Sequence, residues 1–195
     1  MSTERGIRLD AAVAADALPD VSIVPMTAAH LRRVLAIERT VYERGWTKGM
    51  YESELALPAT RAFIVALVGR ELTGYAGMMM AGETGHIATI AVAEKWRRHG
   101  IATRLLVQLS AEILRRGGSE ATLEVRESGV AALGLYERFG YERVGRRKNY
   151  YPRTREDAII MTAGHIDSDA YAARLRALTA SLAGTTHVEE VPTWH

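Results

Sequence analysis

The sequence predicts one α/β domain built on a mixed sheet, and three observations lead there. The first is a pair of strand-like runs, 61–68 and 72–81, joined by a tight turn at Gly69-Arg70, which is the spacing of an antiparallel hairpin. The second is a small and apolar run, Ile87-Ala-Thr-Ile-Ala-Val92, followed by an amphipathic helix and another strand. A β-α-β unit of that kind places its two strands parallel. The third is composition. With 195 residues, 48% hydrophobic and 25% charged, the chain can bury one core and is too short for two comfortable ones.

The elements follow in order. Residues 1–20 are rich in Ala and Asp with weak periodicity and read as a loosely ordered extension. Val21–Val24 alternates up to Pro25 and reads as a strand. Thr27 caps a helix with apolar positions Leu31, Val34, Leu35 and Ile37. A loop at Gly45-Trp46 leads to a second helix, 48–57, which stops before Pro58. After the hairpin comes the strand 86–93, a helix over 100–116 closed by Gly117-Gly118, a strand 121–126, and a helix 130–139 ended by Gly140. A strand 141–147, a loop with Tyr150-Tyr151-Pro152 and a strand 157–162 complete the domain. Residues 167–183 read as a helix and 184–195 as a frayed tail.

Several function classes recede. The chain has no cysteine, so disulfides, thiolate metal sites and a cysteine acyl-enzyme are excluded. The six histidines lack metal-ligand spacing, and no metal is expected. Net charge is +2 without a basic stripe, which does not point to nucleic acid. No signal-peptide layout opens the sequence and no apolar run nears the ~20 residues that span a bilayer, so a cytoplasmic protein without membrane contact is expected.

The most informative stretch runs from Ile90 to Thr103: Ile-Ala-Val-Ala-Glu-Lys-Trp-Arg-Arg-His-Gly-Ile-Ala-Thr. A buried strand enters a basic turn and then a helix. Gly100 and Ala102 let backbone approach a ligand closely, and the helix start offers unpaired N–H groups. With Arg97, Arg98 and His99 this suits a pyrophosphate, although a solvated basic turn has the same composition. It is neither a P-loop nor a dinucleotide fingerprint.

This stretch resembles the acyl-CoA-binding motif of the GNAT superfamily of N-acetyltransferases, Gln/Arg-x-x-Gly-x-Gly/Ala. The likeness extends through Leu123–Ser128, Ala132–Tyr141, Arg147–Pro152 and Glu156–Met161, which look like the RimI branch that acetylates ribosomal-protein N-termini, and it covers about residues 21–163 as the catalytic domain, with 164–195 left as a C-terminal helix and tail. The resemblance implies a twisted, mostly antiparallel sheet, splayed between its two central parallel strands, with helices on both faces. It implies acetyl-CoA as co-substrate. The backbone of Ile90, Ala91 and Val92 would receive the pantetheine arm, and Arg97, Arg98, His99, Gly100, Ile101, Ala102 and Thr103 the pyrophosphate. Where the family commonly has a cofactor-touching Asn, this sequence has Gly129.

Acetyl transfer to an amine needs a neutral amine, a polarised carbonyl and a proton for the leaving thiolate. An α-amino group has a pKa near 8, so deprotonating it at neutral pH costs only about 1 kcal/mol. Glu124, mid-strand between Leu123 and Val125, is the candidate base; an unpaired carboxylate there would be costly, and pairing with Thr122 or Arg126 on the same side is the alternative. Tyr136 belongs by periodicity to the apolar stripe of its helix, and by the resemblance it would protonate the thiolate. The N–H of Val92 would polarise the carbonyl.

Trp46, Tyr150 and Tyr151 are the candidate acceptor-binding aromatics, with loop packing as their alternative role. Glu38, Glu43 and Glu52 would favour a basic peptide, or are solvated helix faces. The expected acceptor is a protein N-terminus, and the expected state a monomer or weak dimer. A lysine, polyamine or small amine acceptor, and a non-catalytic acyl-CoA sensor, are the other readings. The 164–195 segment either docks a partner through Tyr171, Leu175 and Leu178 or packs on its own domain.

Overall fold

The structure, a computed structural model, describes residues 20–189. The extension expected over 1–20 lies outside the described residues, Asp20 excepted. Eight strands form one mixed sheet: β1 (Val21–Pro25), β2 (Arg61–Val68), β3 (Glu71–Ala81), β4 (Thr84–Val92), β5 (Glu120–Arg126), β6 (Glu142–Tyr151), β7 (Glu156–Ala163) and β8 (Thr186–Val188). Their spatial order is β6-β7-β5-β4-β3-β2-β1-β8. The helices are α1 (Leu31–Val41), α2 (Lys48–Leu55), α3 (Ile101–Arg115), α4 (Val130–Arg138) and α5 (Asp169–Ala180).

All sheet neighbours are antiparallel except β4 with β5 and β1 with β8. Apolar side chains gather in two clusters. One contains Leu105, Leu106, Leu109 and Ile113 of α3, all fully buried. Each such side chain contributes roughly 1.5–3 kcal/mol on burial. The other contains Leu31, Val34 and Ile37 of α1 and Tyr51 of α2. The 3.6-residue spacing read in each helix is therefore what seats it on the sheet.

The feature that shapes the site is an extra residue in β4. Gly77 pairs with Thr89 but the next residue, Met78, pairs with Ile87, so Ala88 is bulged. The bulge inverts the alternation of side chains. Ile87 packs in the α3 cluster, whereas Ala91, which a regular strand would put on the same side, packs in the α1 cluster. The parallel pairing of β4 with β5 also ends there, at Ile87↔Leu123. Beyond it β4 runs on to Val92 and β5 to Arg126, and the two strands part. The expected splay thus begins at the bulged residue.

Two sequence expectations change at the C-terminal end. The strand read over 141–147 continues to Tyr151, because Tyr151 pairs with Glu156 in a β6–β7 hairpin, so Tyr150 and Tyr151 lie on a strand rather than in a loop. Within the stretch read as a frayed tail, Thr186–Val188 form β8, parallel to Val21–Ile23. Of the two roles open to the C-terminal helix, packing on its own domain is the one observed: Tyr171 and Leu178 are buried in the α3 cluster and Leu175 packs against it.

Arg104 binds this segment to the domain. It lies on α3 with a relative exposure of 2%. Its guanidinium donates to Thr186 Oγ1 at 2.8 Å, to the His99 carbonyl at 3.2 Å and to the Ala183 carbonyl. Burial pushes its pKa down. Three acceptors around a buried cation offset its desolvation.

Candidate active site

A cleft of about 220 Å³ opens where β4 and β5 part. Its walls come from the α1–α2 loop, the parted strands, α4 and the β6–β7 hairpin. Glu124 and His86 stand in it, with Tyr136 on one wall and Tyr42, Tyr150 and Tyr151 on others.

Glu124 follows Leu123, the last residue of β5 that still pairs with β4. Leu123 points into the α3 cluster, so Glu124 points the other way, into the cleft. Its side chain is only 11% exposed. The expected partners, Thr122 and Arg126, do not reach it: Thr122 donates to the Met161 carbonyl at 3.1 Å, and Arg126 pairs with Glu156 at 3.3 Å and stacks on the Tyr151 ring at 4.0 Å. Instead His86 Nε2 on β4 lies 3.3 Å from one carboxylate oxygen, and the Arg147 guanidinium on β6 lies 3.0 Å from the other. The carboxylate is thus held from both sides of β5, by its neighbour β4 and by β6 two strands away, with the cleft in front of it.

Tyr136 is 5% exposed, packed by its ring against Tyr141 at 5.7 Å and lining the cleft. Burial raises its pKa far above the ordinary phenol value, with smaller contributions from Tyr42 and Tyr151. The hydroxyl therefore keeps its proton at any physiological pH. It is both the core tyrosine that periodicity indicates and a group facing the cleft. Tyr42 crosses from the α1–α2 loop and donates to the Ile90 carbonyl at 2.8 Å. Burial raises its pKa as well, against the opposing effect of the Thr89 hydroxyl.

Ile90, Ala91 and Val92 occupy the stretch of β4 beyond the parting, with the Ala91 methyl buried. The basic turn follows. Gly100 is the N-cap of α3 with φ +73°, and Arg98 is also left-handed at φ +68°. Such conformations cost about 1–3 kcal/mol for a non-glycine residue and cluster at ligand clamps. Arg97 and Arg98 are exposed, and the His99 ring closes on the Arg97 carbonyl at 2.8 Å. Ile101 and Thr103 are buried, so they and half-buried Ala102 offer the helix-start backbone rather than their side chains. No side chain caps this helix, which leaves its first N–H groups without a side-chain acceptor. The turn has the make-up of a phosphate cradle. Gly129 is the N-cap of α4 just past the end of β5; a Cβ there would sit 3.0 Å from the Arg126 carbonyl.

Trp46 lines the cleft and packs on Tyr51 at 5.1 Å and Phe63 at 5.8 Å, so it serves loop packing and the cleft wall together. Tyr150 and Tyr151 meet edge-on at 5.2 Å. Glu38 is neither exposed nor free. It is 2% exposed and accepts from Trp46 N at 2.8 Å, Tyr51 Oη at 2.7 Å and Tyr75 Oη. It anchors the loop that carries Trp46. Glu52 is paired with Lys48 at 2.7 Å. Among the described residues no group of three His, Asp or Glu side chains is arranged to hold a metal, and no helix is long and apolar enough to cross a membrane.

The sequence reading missed His86, Arg147, Tyr42 and Arg104. His86 alone carried a signal: it is the one ionisable residue in an otherwise small and apolar strand.

Residues 31–141 match the model of the Acetyltransferase (GNAT) family. The chain is 35% identical over 147 residues to the N-alpha-acetyltransferase RimI of Mycobacterium tuberculosis, covering 72% of this chain and 90% of that one. An uncharacterized Mycobacterium leprae protein is 34% identical over 76% of this chain, which spans only 42% of that relative's length. The crystal structure of the ribosomal-protein-S18-alanine N-acetyltransferase from Escherichia coli superposes with a TM-score of 0.68 at 28% identity, covering 74% of this chain and 94% of that one.

Proposed function

The chain belongs to the GNAT acetyltransferase family, and on that premise we propose that it transfers the acetyl group of acetyl-CoA to the α-amino group of a protein N-terminus, with ribosomal proteins the first acceptors to try. The observation that carries this reading is the Glu124 carboxylate, held by His86 and Arg147 at the mouth of the β4–β5 splay. The names of the relatives support the choice of acceptor.

The roles follow from position. Glu124 takes the proton of the incoming ammonium, directly or through a water. An α-amine needs little help, which suits a single carboxylate. His86 orients that carboxylate from β4. The backbone of Ile90, Ala91 and Val92 receives the pantetheine arm, and the Val92 N–H polarises the thioester carbonyl. The turn Arg97–Thr103 holds the pyrophosphate, with Gly129 bordering the same arm. Tyr136, kept neutral by burial, holds the proton that the departing thiolate requires. Trp46, Tyr150 and Tyr151 flank the acceptor chain.

With no cysteine in the sequence, the attack is direct within a ternary complex. Initial rates with acetyl-CoA and short peptides bearing free Ala, Ser, Gly, Met or Thr N-termini test this. Intersecting double-reciprocal lines and turnover of free but not N-blocked peptides are expected. Parallel lines would refute direct attack, and turnover of blocked lysine peptides would refute the acceptor.

A further inference from the structure

Two segments lend residues to the cleft: the α1–α2 loop, through Tyr42, Arg44 and Trp46, and the β6–β7 hairpin, through Tyr150 and Tyr151. Their acidic groups are almost all taken. Glu156 pairs with Arg126 and accepts from Ser128 N at 2.6 Å. Asp157 pairs with Arg146 at 3.3 Å and accepts from Asn149 N at 2.8 Å. Nearby Glu38 is buried under its three donors and Glu127 is engaged by Arg146. Glu43 is the remaining rim carboxylate.

The cations are not balanced in this way. Arg44, Lys148, Arg153 and Arg155 are all exposed, and none has an ion-pair partner among the described residues. Arg44 lines the cleft itself, as do Tyr150 and Tyr151 of the hairpin. Arg147 adds to them during the reaction. Its guanidinium rests on the carboxylate that the acceptor's ammonium must approach. Two cations compete for one carboxylate, so an entering amine displaces Arg147 toward the mouth and leaves it without an anion.

We infer that the enzyme selects N-termini followed by acidic residues: an aspartate or glutamate at the second or third acceptor position sits between Arg44 and the hairpin and receives the displaced Arg147. The inference rests on the N-terminal acceptor reading above. It runs against the preference for a basic peptide that Glu38, Glu43 and Glu52 had suggested, because Glu38 and Glu52 are already engaged and Glu43 alone faces several cations. Exposed pairs are individually weak, but several acting at one mouth bias both encounter and binding.

The test uses the full chain, acetyl-CoA and three free peptides that begin with Ala and continue Glu-Asp, Gln-Asn or Lys-Arg, each beside its N-blocked form. The expected order of kcat/KM is acidic, neutral, basic, with about tenfold per step at low salt. The order should flatten toward about 1 M salt, where screening acts over about 3 Å. The double variant Arg44→Glu, Lys148→Glu should invert the order. Equal, salt-independent rates on the three free peptides overturn the preference while leaving the N-terminal reading in place, and so does a preference for Lys-Arg. Turnover of the blocked Lys-Arg peptide alone, or of none, overturns the N-terminal reading and the preference with it.

Discussion

Tyr42 and Ile90 meet across the cleft: the tyrosine hydroxyl, at the end of α1, donates to the carbonyl oxygen of a residue on the parted stretch of β4 at 2.8 Å. The bond joins the α1–α2 side of the cleft, where the acceptor is proposed to bind, to the strand proposed to receive the donor. Tyr42→Phe removes the donor while keeping the ring. The freed carbonyl can be solvated from the cleft, so the loss of stability should be small, about 0.5–1.5 kcal/mol in a thermal melt. KM for the acceptor should rise more than KM for acetyl-CoA, because Tyr42 belongs to the loop that also carries Trp46, one of the proposed acceptor-binding aromatics.

Glu124→Gln keeps the shape of the side chain and removes the carboxylate proposed as the base. A fall in kcat/KM of about 10²–10⁴ is expected on free N-terminal peptides. His86→Gln should cost less, since it leaves the carboxylate and its Arg147 contact. Near-wild-type turnover by Glu124→Gln, at unchanged melting temperature, would move the base elsewhere in the cleft.

Gly100→Ala tests the basic turn. The residue has φ +73°, and an added Cβ would lie 2.7 Å from Leu182 Cδ2 and 2.9 Å from the Arg104 guanidinium. Strain alone predicts a loss of about 1–2 kcal/mol in a chemical-denaturation experiment. The KM for acetyl-CoA should rise severalfold with acceptor KM little changed. The reverse split would detach this turn from the donor.

The buried phenols predict an alkaline limit to stability. Tyr136 and Tyr141 are pushed well above the ordinary value of 10 by burial, and Tyr151 to about 12. A raised folded-state pKa gives stability that is complete below the unfolded pKa and lost as pH climbs toward the folded one. Unfolding free energy should therefore be insensitive to these groups from pH 7 to 9 and fall above about pH 10 as the unfolded chain ionises first. Denaturation midpoints across that range, compared with Tyr151→Phe, check the sign: the variant should lose less between pH 10 and 12.

Which parts were legible in the sequence has a physical pattern. Ile87–Val92 reads as a buried strand because every side chain is small or apolar, and for the same reason it hides the bulge at Ala88, since no charged residue marks where the alternation flips and Thr89 is itself buried. Glu124 stood out as a charge inside a strand, yet its partners come from β4 and β6, distant in sequence, so the reading looked along β5 instead. The outer half of β6 is polar throughout and gave no period of two; only its pairing with β7 makes it a strand. Arg104 on an amphipathic helix reads as a solvated cation, because nothing near it in sequence announces the acceptors at Ala183 and Thr186.

That last distance also sets an order of events during translation. Ala183 is made 79 residues after Arg104. At ~5–20 residues per second this is roughly 4–16 s. Through that interval α3 can dock on the emerging sheet, but the arginine beneath the basic turn lacks two of its three acceptors, and β1 shows its outer edge. The nascent domain therefore acquires the cleft around Glu124 before the turn at the start of α3 is fully tied down, so a chain still being threaded through the ribosome has a cleft before that turn has its last supports.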